Sequence, residues 1–335
     1  MQELETIIWL ITARCNLACR TCYASRYGGE AEASFNDVVR VLREAAEAGV
    51  AHVHITGGEP LLRGDTLDIV KEALDLGLET TLFTNATILT EEAAKRLGRL
   101  GIKVYTSMDG PSKKVHESVR GAGSWDSLLR GLTLLKRYGV RLHVNVTVSE
   151  LNWGCVAEAL RKALELGADE VSIIPAMPAG RALALGTYVR PEHYLRALLD
   201  VEGFAEELGV EVEVWCTPFL RLVVASPLLV NGNCRDWGVM DLTPSGKSVV
   251  CDVLGVVTAD VLREGLMRAW AKTLSHPIIK ASEAGGREPP CADCPVREAC
   301  RGGCYARSYI LRGRADAPDP LCPRAAGVLR RAGLP

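Results

Sequence analysis

Residues 7–22 read IIWLITARCNLACRTC, a short apolar run followed closely by three cysteines. The run at 7–12 has the apolar, β-branched composition of a buried strand. Cys15, Cys19 and Cys22 then follow in a CxxxCxxC loop. Clustered thiols in a reducing compartment more often hold metal than form disulfides, so the stretch predicts a metal-binding loop at the carboxyl end of a first strand.

Five further apolar runs follow, and amphipathic stretches of helical period lie between them. Leucine, valine and alanine recur at helical spacing in segments 37–48 and 125–138, and a glycine closes each segment. Repeated strand and helix units predict a parallel sheet, so the expected fold class is α/β. The predicted strands after the first are 52–56, 79–84, 103–107, 142–148 and 170–174, followed by a helix at 191–208 and a strand at 211–215.

Polar and glycine-bearing motifs come directly after the first four strands. Besides the cysteine loop, these are GGEP (57–60), FTNA (83–86) and SMDG (107–110). In β/α barrels the active site lies at the face formed by the carboxyl ends of the strands. The motifs are therefore predicted to meet at one catalytic face.

The composition is that of an ordinary globular protein. The 335 residues are 48% hydrophobic, and 39 basic side chains nearly balance 41 acidic ones, so charge predicts neither a nucleic-acid nor a membrane partner. The amino-terminal MQELETIIWLIT has no basic region, and its apolar run is too short for a signal peptide or a spanning helix. We therefore expect a cytoplasmic protein.

The number of cysteines in the first loop separates two kinds of metal site. A structural zinc site has four closed ligands. Three cysteines that hold a [4Fe–4S] cluster leave one iron free to bind a small molecule. Arg14 and Arg20 lie in the same loop, where their charges are expected to offset thiolate charge. A zinc knuckle or a redox thiol cluster is the alternative at this point.

The CxxxCxxC loop together with GGEP resembles the radical S-adenosylmethionine (SAM) superfamily. The resemblance implies a partial (β/α)6 TIM-like barrel, a [4Fe–4S] cluster whose open iron binds SAM, and reductive cleavage of SAM to a 5′-deoxyadenosyl radical. The family places an aromatic residue before the last cysteine, whereas this chain has Thr21 there and Tyr23 after it.

The resemblance also implies a set of SAM contacts. Glu59 is expected to accept from the SAM ammonium, Tyr23 to pack near the adenine, and Asn145 to face the nucleoside. For Thr84, Asn85, Ser107, Asp109 and Arg120, a helix cap or turn role is the alternative. For Asn145, the alternative is that the side chain faces a helix. The full predicted set is Tyr23, Gly57, Gly58, Glu59, Pro60, Thr84, Asn85, Ser107, Asp109, Arg120 and Asn145.

Seven cysteines in the second half follow another spacing. Cys234 is followed after eleven residues by Gly246 and after four more by Cys251, and a CxxCxxxxxCxxxC run begins at Cys291. With Cys322 this pattern resembles the SPASM domain, in which the cysteines bind two auxiliary [4Fe–4S] clusters, for three clusters in all. By resemblance, the first auxiliary set is Cys234, Cys251 and Cys304, and the second is Cys291, Cys294, Cys300 and Cys322.

The first auxiliary set is one cysteine short. Cys216 lies eighteen residues before Cys234 and completes the set only if the intervening segment folds back; an open iron or a non-cysteine ligand is the alternative. Asp252 follows Cys251, and an aspartate at the matching place is the proposed proton acceptor in anaerobic sulfatase-maturing enzymes. We hypothesise this catalytic role for Asp252, against a plain turn residue. Cys155 fits neither pattern and is predicted to be a small buried hydrophobe.

These motifs divide the chain into three parts. Residues 1–215 form the predicted SAM barrel with a bridging segment. Residues 216–323 are turn-rich, contain eight of the twelve cysteines and form the predicted SPASM domain. Residues 324–335 are a basic tail with Arg324, Arg330 and Arg331, read as a solvated helix end.

The two resemblances imply a maturase that abstracts hydrogen from a peptide or protein substrate. An external electron donor such as ferredoxin or flavodoxin is its expected partner. Because the barrel starts within the first dozen residues, a ribosomal peptide is expected to need a separate leader-peptide-binding protein. One alternative keeps the chemistry on a tetrapyrrole or other cofactor precursor, whose enzymes the segment 178–181 (PAGR) loosely resembles. The other is a non-catalytic iron–sulfur carrier, which has no use for GGEP.

Overall fold

A computed structural model describes residues 2–236 and 238–331 of the chain. Eleven strands in these residues form a single sheet. They are β1 (Thr6–Leu10), β2 (His52–Thr56), β3 (Glu79–Phe83), β4 (Lys103–Ser107), β5 (Arg141–Val148), β6 (Glu170–Pro175), β7 (Val212–Val214), β8 (Leu229–Val230), β9 (Val239–Leu242), β10 (Lys247–Val249) and β11 (Val257–Asp260).

The first eight strands are parallel and lie side by side in chain order. Parallel neighbours need a crossover connection, and helices supply most of these connections. The predicted α/β class with a parallel barrel sheet is therefore confirmed. Most predicted strands agree with the structure to within one or two residues, and the predicted helix at 191–208 has the observed bounds.

Local sequence signals set the helix boundaries. The Ser34 hydroxyl accepts from the Asp37 amide at the start of α1, and the Thr90 hydroxyl accepts from the Ala93 amide at the start of α3. Gly101 ends α3 in the left-handed conformation. The helices are α1 (Phe35–Glu47), α2 (Thr66–Asp75), α3 (Glu91–Leu100), α4 (Lys113–Arg120), α5 (Ser124–Arg137), α6 (Val156–Glu165), α7 (Gly180–Ala184), α8 (Pro191–Leu208), α9 (Val261–Glu264), α10 (Leu266–Ser275), α11 (Pro277–Ser282), α12 (Arg297–Cys300), α13 (Tyr305–Arg312) and α14 (Val328–Arg331).

The two faces of the sheet differ in chemistry. Side chains such as Val104 and Val144 pack against the helices in the main apolar core. The opposite face, inside the partial barrel, is aromatic and polar: the Tyr105 ring stacks on Phe83 at 4.5 Å and on His143 at 4.2 Å between centroids. A strand exposes alternate residues to opposite faces, so the helix-facing core leaves the inner face free for chemistry.

The second half of the chain extends the same sheet. Strand β9 pairs in parallel with β1, and β10 and β11 continue antiparallel from β9. The turn-rich composition of this region concealed the three strands, which are only three or four residues long. The division at residue 216 stays a prediction, and the sheet runs across it.

The carboxyl-terminal region is docked rather than free as far as it is described. Arg324 donates to the Asp293 carboxylate at 2.8 Å and to the Pro290 carbonyl at 3.1 Å, so this arginine is not simply solvated. The last residues of the predicted basic tail, 332–335, and the side chains of Arg330 and Arg331 lie outside the described part of the structure. Among the described residues, no helix combines the length and apolarity that crossing a membrane requires.

Candidate metal and cofactor site

The three cysteines of the first loop lie close together at the carboxyl end of β1. Burial raises the pKa of Cys15 and of Cys19, and the nearby Cys22 adds to both shifts. The Arg120 guanidinium acts against these shifts at both thiols. The loop therefore presents three neighbouring sulfur ligands beside one cation.

The GGEP turn is joined to the segment just before the cysteines. The Gly58 amide donates to the Thr12 carbonyl and the Glu59 amide donates to the Arg14 carbonyl, both at 2.8 Å. A Cβ atom on Gly58 would lie 2.3 Å from the Arg14 carbonyl oxygen, and one on Gly57 would lie 2.5 Å from that of Thr12. The two glycines are thus required by the approach of the two loops, and Gly57 also has a φ of +154°.

The Glu59 carboxylate is fully buried and accepts three hydrogen bonds. Its donors are the Leu61 amide at 3.0 Å, the Thr84 hydroxyl at 2.7 Å and the Asn85 amide at 2.6 Å. Burial raises the pKa of Glu59, while these donors act in the opposite direction. Glu59 therefore holds the turn after β3 against the turn after β2, where Pro60 opens a short 3-10 turn.

Asn85 connects this turn to the cysteine loop. Its Nδ2 donates to Asn16 Oδ1 at 2.9 Å and lies 3.9 Å from Cys15 Sγ. Its Oδ1 accepts from Thr87. Of the two predicted residues in this turn, Asn85 thus approaches Cys15 directly, whereas Thr84 contacts Glu59.

Asp109 and Arg120 form a buried ion pair, with Arg120 Nε 2.6 Å from Asp109 Oδ2. The second oxygen of Asp109 accepts from the Thr147 amide at 2.8 Å. Burial acts to lower the pKa of Arg120, but the charges of Asp109 and Cys19 raise it above its ordinary value. The cation beside the thiols is therefore Arg120, which lies over ninety residues from the loop in sequence.

The arginines within the loop play a lesser part. Arg14 pairs with Glu32, with Nε 2.7 Å from Oε1, and its side chain is largely exposed. The Arg120 guanidinium acts on Cys15 and Cys19, and Arg14 is engaged by Glu32 instead. The charge-offsetting role expected of Arg20 stays a prediction. The loop sequence contains no signal for the effect of Arg120, because that contact depends on helix α4.

Ser107 and Asn145 lie next to each other on the inner face of the barrel, paired in register between β4 and β5. Asn145 Oδ1 accepts from the Ser172 hydroxyl at 3.0 Å. Ser172, on β6, was not singled out in the sequence, where it reads as one polar residue within an apolar strand. The three residues form a polar row across neighbouring strands.

Tyr23 brings Asp252 to the cysteine loop. The Tyr23 hydroxyl donates to the Asp252 carboxylate, and the Tyr27 hydroxyl donates to the Asp252 carbonyl at 2.5 Å. Burial raises the pKa of Asp252. The predicted catalytic aspartate and the predicted SAM contact Tyr23 are thus direct neighbours, although they are separated by 229 positions.

Asp241 is a buried neighbour of Asp252 that the sequence did not indicate. Its Oδ2 accepts from the Asp252 amide at 2.8 Å, and its Oδ1 has no hydrogen-bond partner among the described residues. Burial, followed by the charge of Asp252, raises the pKa of Asp241 well above its usual range. Ligand atoms of Asp241, Cys251 and Asp252 lie within 4.8 Å of one another.

Four cysteines of the second half lie near one another and near Asp252. Burial raises the pKa of Cys216 well above its ordinary value, and Cys304 and Cys234 add to that shift. Cys304 and Cys234 likewise act on Cys251. The segment between Cys216 and Cys234 thus folds back and brings Cys216 near Cys304 and Cys234.

The other four cysteines line one small cavity. Burial raises the pKa of Cys300 to about 12, with added contributions from Cys322, Cys291 and Cys294. All four line a single cavity together with Phe219, Leu222, Pro290, Val296, Arg297, Gly302 and Arg324. Cys155 lies apart, and its thiol donates to the Asn152 carbonyl. The twelve cysteines in the described residues are all free thiols. Apart from Cys155, they fall into one group of three and two groups of four.

The sequence of this chain is similar to a known family and to known relatives. Residues 9–163 match the sequence family described as the radical SAM superfamily. The AdoMet-dependent heme synthase of Oleidesulfovibrio alaskensis is 26% identical over 94% of this chain and 86% of its own length. The PqqA peptide cyclase of Rhodopseudomonas palustris is 29% identical over 93% of this chain and 85% of its own length.

Two solved structures share the fold. Native anSMEcpe with bound AdoMet has a TM-score of 0.75 at 17% identity and covers 98% of this chain and 96% of its own. Streptococcus suis SuiB bound to its precursor peptide SuiA has a TM-score of 0.70 at 16% identity and covers 96% of this chain and 76% of its own. At these identities the likeness concerns the fold.

Proposed function

Because this chain is a radical SAM enzyme, with the matching domain at residues 9–163, we propose that it modifies a peptide or protein substrate by hydrogen abstraction. The cluster and SAM, when bound, supply the 5′-deoxyadenosyl radical that removes the hydrogen. The observation that carries the proposal is the joining of the three-cysteine loop to the GGEP turn by backbone hydrogen bonds. The similarity to PqqA peptide cyclases over 93% of the chain supports a peptide substrate.

The proposal assigns the [4Fe–4S] cluster of the barrel to Cys15, Cys19 and Cys22. Three sulfur ligands leave one iron open for SAM, in contrast to a closed zinc site. SAM would lie between the loops that follow β1 to β5, where the predicted contacts converge. In this arrangement, Glu59 and the Asp109–Arg120 pair hold the loops in place, since their charged atoms are already engaged by protein groups.

We further propose two auxiliary clusters in the second half of the chain. Cys216, Cys234, Cys251 and Cys304 would hold the first, and Cys291, Cys294, Cys300 and Cys322 the second. The mutual proximity of the four thiols in each set supports this assignment. With Cys216 included, every iron of the first auxiliary cluster has a protein ligand, so substrate is not required as a ligand there.

Asp252 is proposed as the proton acceptor for the substrate radical. Its carboxylate faces the cysteine loop through Tyr23 and lies beside Cys251 of the first auxiliary set. It therefore lies between the proposed site of hydrogen abstraction and the proposed destination of the substrate electron. An external ferredoxin or flavodoxin completes the proposed electron supply.

A tetrapyrrole or other cofactor precursor is the second candidate substrate. The heme synthase relatives at 26% identity favour it. Residues 178–181, which loosely resemble a segment of such enzymes, pack against the cysteine loop. The Arg181 amide donates to the Cys22 carbonyl at 3.0 Å and its Nε donates to the Cys19 carbonyl at 2.8 Å. A Cβ atom on Gly180 would lie 2.5 Å from the Tyr23 carbonyl oxygen. The names of the relatives favour an enzyme over a non-catalytic carrier.

Anaerobic reconstitution with iron, sulfide, dithionite and SAM tests the proposal. Three clusters predict about twelve irons per chain, and a radical SAM enzyme must form 5′-deoxyadenosine. A Cys22→Ala variant is expected to lose the deoxyadenosine, whereas Cys155→Ala is the matched control and keeps it. If no deoxyadenosine forms at any iron loading, the proposed enzymatic activity is refuted. If the reconstituted chain binds only about four irons, the two auxiliary clusters are refuted. Turnover of a tetrapyrrole precursor, and not of peptides, selects the second candidate.

A further inference from the structure

A buried histidine on the inner face of the barrel has one ring nitrogen without a hydrogen bond. His143 lies on β5, two residues before the predicted SAM contact Asn145, and its side chain is 0% exposed. Its Nδ1 lies 3.1 Å from Glu170 Oε2, whereas its Nε2 has no hydrogen-bond partner among the described residues. Burying an unpartnered polar atom costs free energy, so a ligand at this nitrogen is expected.

Two glutamates lie beside this histidine on the neighbouring strands. Glu170 is paired in register with His143 between β5 and β6, and Glu213 is paired with Ser172 between β6 and β7. Ligand atoms of His143, Glu170 and Glu213 lie within 4.8 Å of one another. The three side chains come from three consecutive strands, so the sheet itself holds them together.

These three residues line a cavity of about 200 Å³. Asp169 and Glu211, the residues just before β6 and β7, add two more carboxylates to its wall. The cavity therefore lies at the amino-terminal end of the strands, whereas the cysteine loop follows the carboxyl end of β1. It is separate from the proposed SAM site and has room for an ion with water ligands. The remaining lining residues are Leu164, Val171 and Val210.

Carboxylates outnumber the cations that contact this cavity. Lys103 Nζ lies 2.7 Å from Glu170 Oε2, and Arg141 donates to the other oxygen of Glu170. Against four carboxylates, these two cations leave an excess of two negative charges. Glu213 Oε2 accepts from the neutral Trp215 Nε1 at 2.9 Å, which does not offset its charge. A carboxylate has about four acceptor positions, so both glutamates can also bind an ion.

A salt-bridge network alone explains only part of this arrangement. It accounts for Glu170, but it supplies no partner for the Nε2 of His143. Metal-binding histidines commonly donate one ring N–H to a carboxylate and bind the ion through the other nitrogen. His143 has this arrangement, with Nδ1 on Glu170. An imidazole with carboxylates suits transition metals such as Zn²⁺, Fe²⁺ and Mn²⁺, whereas Mg²⁺ and Ca²⁺ take oxygen ligands.

We propose that His143, Glu170 and Glu213 bind one divalent transition-metal ion at the amino-terminal end of the barrel. The ion joins β5, β6 and β7 and balances the excess of carboxylates in the cavity. The site uses none of the residues assigned to SAM or to the clusters, so it is independent of the proposed function.

The test is a titration of the full-length, cluster-loaded chain with Mn²⁺, in which EPR at room temperature measures the free ion. Mn²⁺ is the probe because it prefers carboxylates to thiolates. The native chain is expected to bind one Mn²⁺, and an excess of Mg²⁺ is expected to leave it bound, because Mg²⁺ takes oxygen ligands and makes no use of the imidazole.

Glu213→Gln is expected to weaken Mn²⁺ binding by about tenfold or more. The new amide keeps an oxygen for Trp215 Nε1, so the local hydrogen bond is retained. Glu211→Gln is the matched control, since it removes an exposed carboxylate from the same cavity but not from the three ligands. Its effect on Mn²⁺ affinity is expected to stay below about threefold. Both variants are expected to keep native iron content and deoxyadenosine formation.

Three results would overturn the inference. They are a native chain that binds no Mn²⁺, displacement of the ion by Mg²⁺, and an equal loss of affinity in Glu211→Gln and Glu213→Gln, which indicates a diffuse acidic surface. If Glu213→Gln loses iron, His143→Gln decides, and native Mn²⁺ affinity in that variant overturns the inference. A native chain that binds Mn²⁺ but forms no deoxyadenosine refutes the proposed function and supports the metal site.

Discussion

Replacing Gly58 by alanine tests whether the GGEP turn positions the cysteine loop. The new Cβ atom would lie 2.3 Å from the Arg14 carbonyl oxygen, whereas an ordinary contact is about 3.5 Å. The two backbones must therefore separate by about 1 Å. Both partners are backbone atoms, so no flexible side chain can absorb the displacement.

The displacement acts on two hydrogen bonds. The bonds from Gly58 to Thr12 and from Glu59 to Arg14 are both 2.8 Å long and would stretch beyond hydrogen-bond range. Each contributes about 1 kcal/mol, and the overpacking itself costs about 1–3 kcal/mol. The expected local cost is about 3–5 kcal/mol. This cost arises at Arg14, the residue next to Cys15.

Iron content and deoxyadenosine yield after anaerobic reconstitution measure the effect. Gly58→Ala is expected to lose about four irons, those of the barrel cluster, and to form deoxyadenosine at least tenfold more slowly. Gly64→Ala is the matched control, since a Cβ atom there meets nothing within 4 Å. Native iron content and native deoxyadenosine yield in Gly58→Ala would refute the reasoning, as would an equal loss in Gly64→Ala.

Three further predictions follow from the site and the barrel. Cys216→Ala is expected to lose about a third of the bound iron, while Cys155→Ala retains it. A native iron content in Cys216→Ala contradicts the proposal that Cys216 is the fourth ligand of the first auxiliary cluster. Asp252→Asn is expected to retain iron and deoxyadenosine formation but to lower product formation by about 10²-fold or more, and a native product rate removes its role. The third prediction concerns the pKa of Glu170. Burial acts to raise this pKa, but hydrogen bonds to Lys103 and His143 outweigh burial and lower it to about 2. Because the pKa of Glu170 is lower in the folded state, its ionised carboxylate stabilises the folded protein at pH values above the unfolded-state pKa of about 4.3. This stabilisation is lost as the pH falls toward 2. Glu170→Gln is thus expected to cost about 1 kcal/mol at pH 7 in urea unfolding, and a cost that does not shrink below pH 4 contradicts the pair.

The strand pattern could be predicted because it depends on neighbours in sequence. Alternating apolar runs and helical periods are local properties, and they placed β2 and β4 at their observed bounds. Strands β9 to β11 were missed because each has only three or four residues, too few for a period to show. Their place beside β1 depends on a contact with the opposite end of the chain.

The cysteine loop shows the difference between what local sequence specifies and what depends on three-dimensional packing. The sequence by itself determined the ligand types and their spacing, because a run such as Cys15 to Cys22 brings its thiols together within one short loop. Which distant groups lie together depends on three-dimensional packing: Arg120 beside these thiols, Asp252 on Tyr23, and Cys216 near Cys304 and Cys234. Those contacts depend on how helices and loops pack in three dimensions, and residue spacing does not encode that packing.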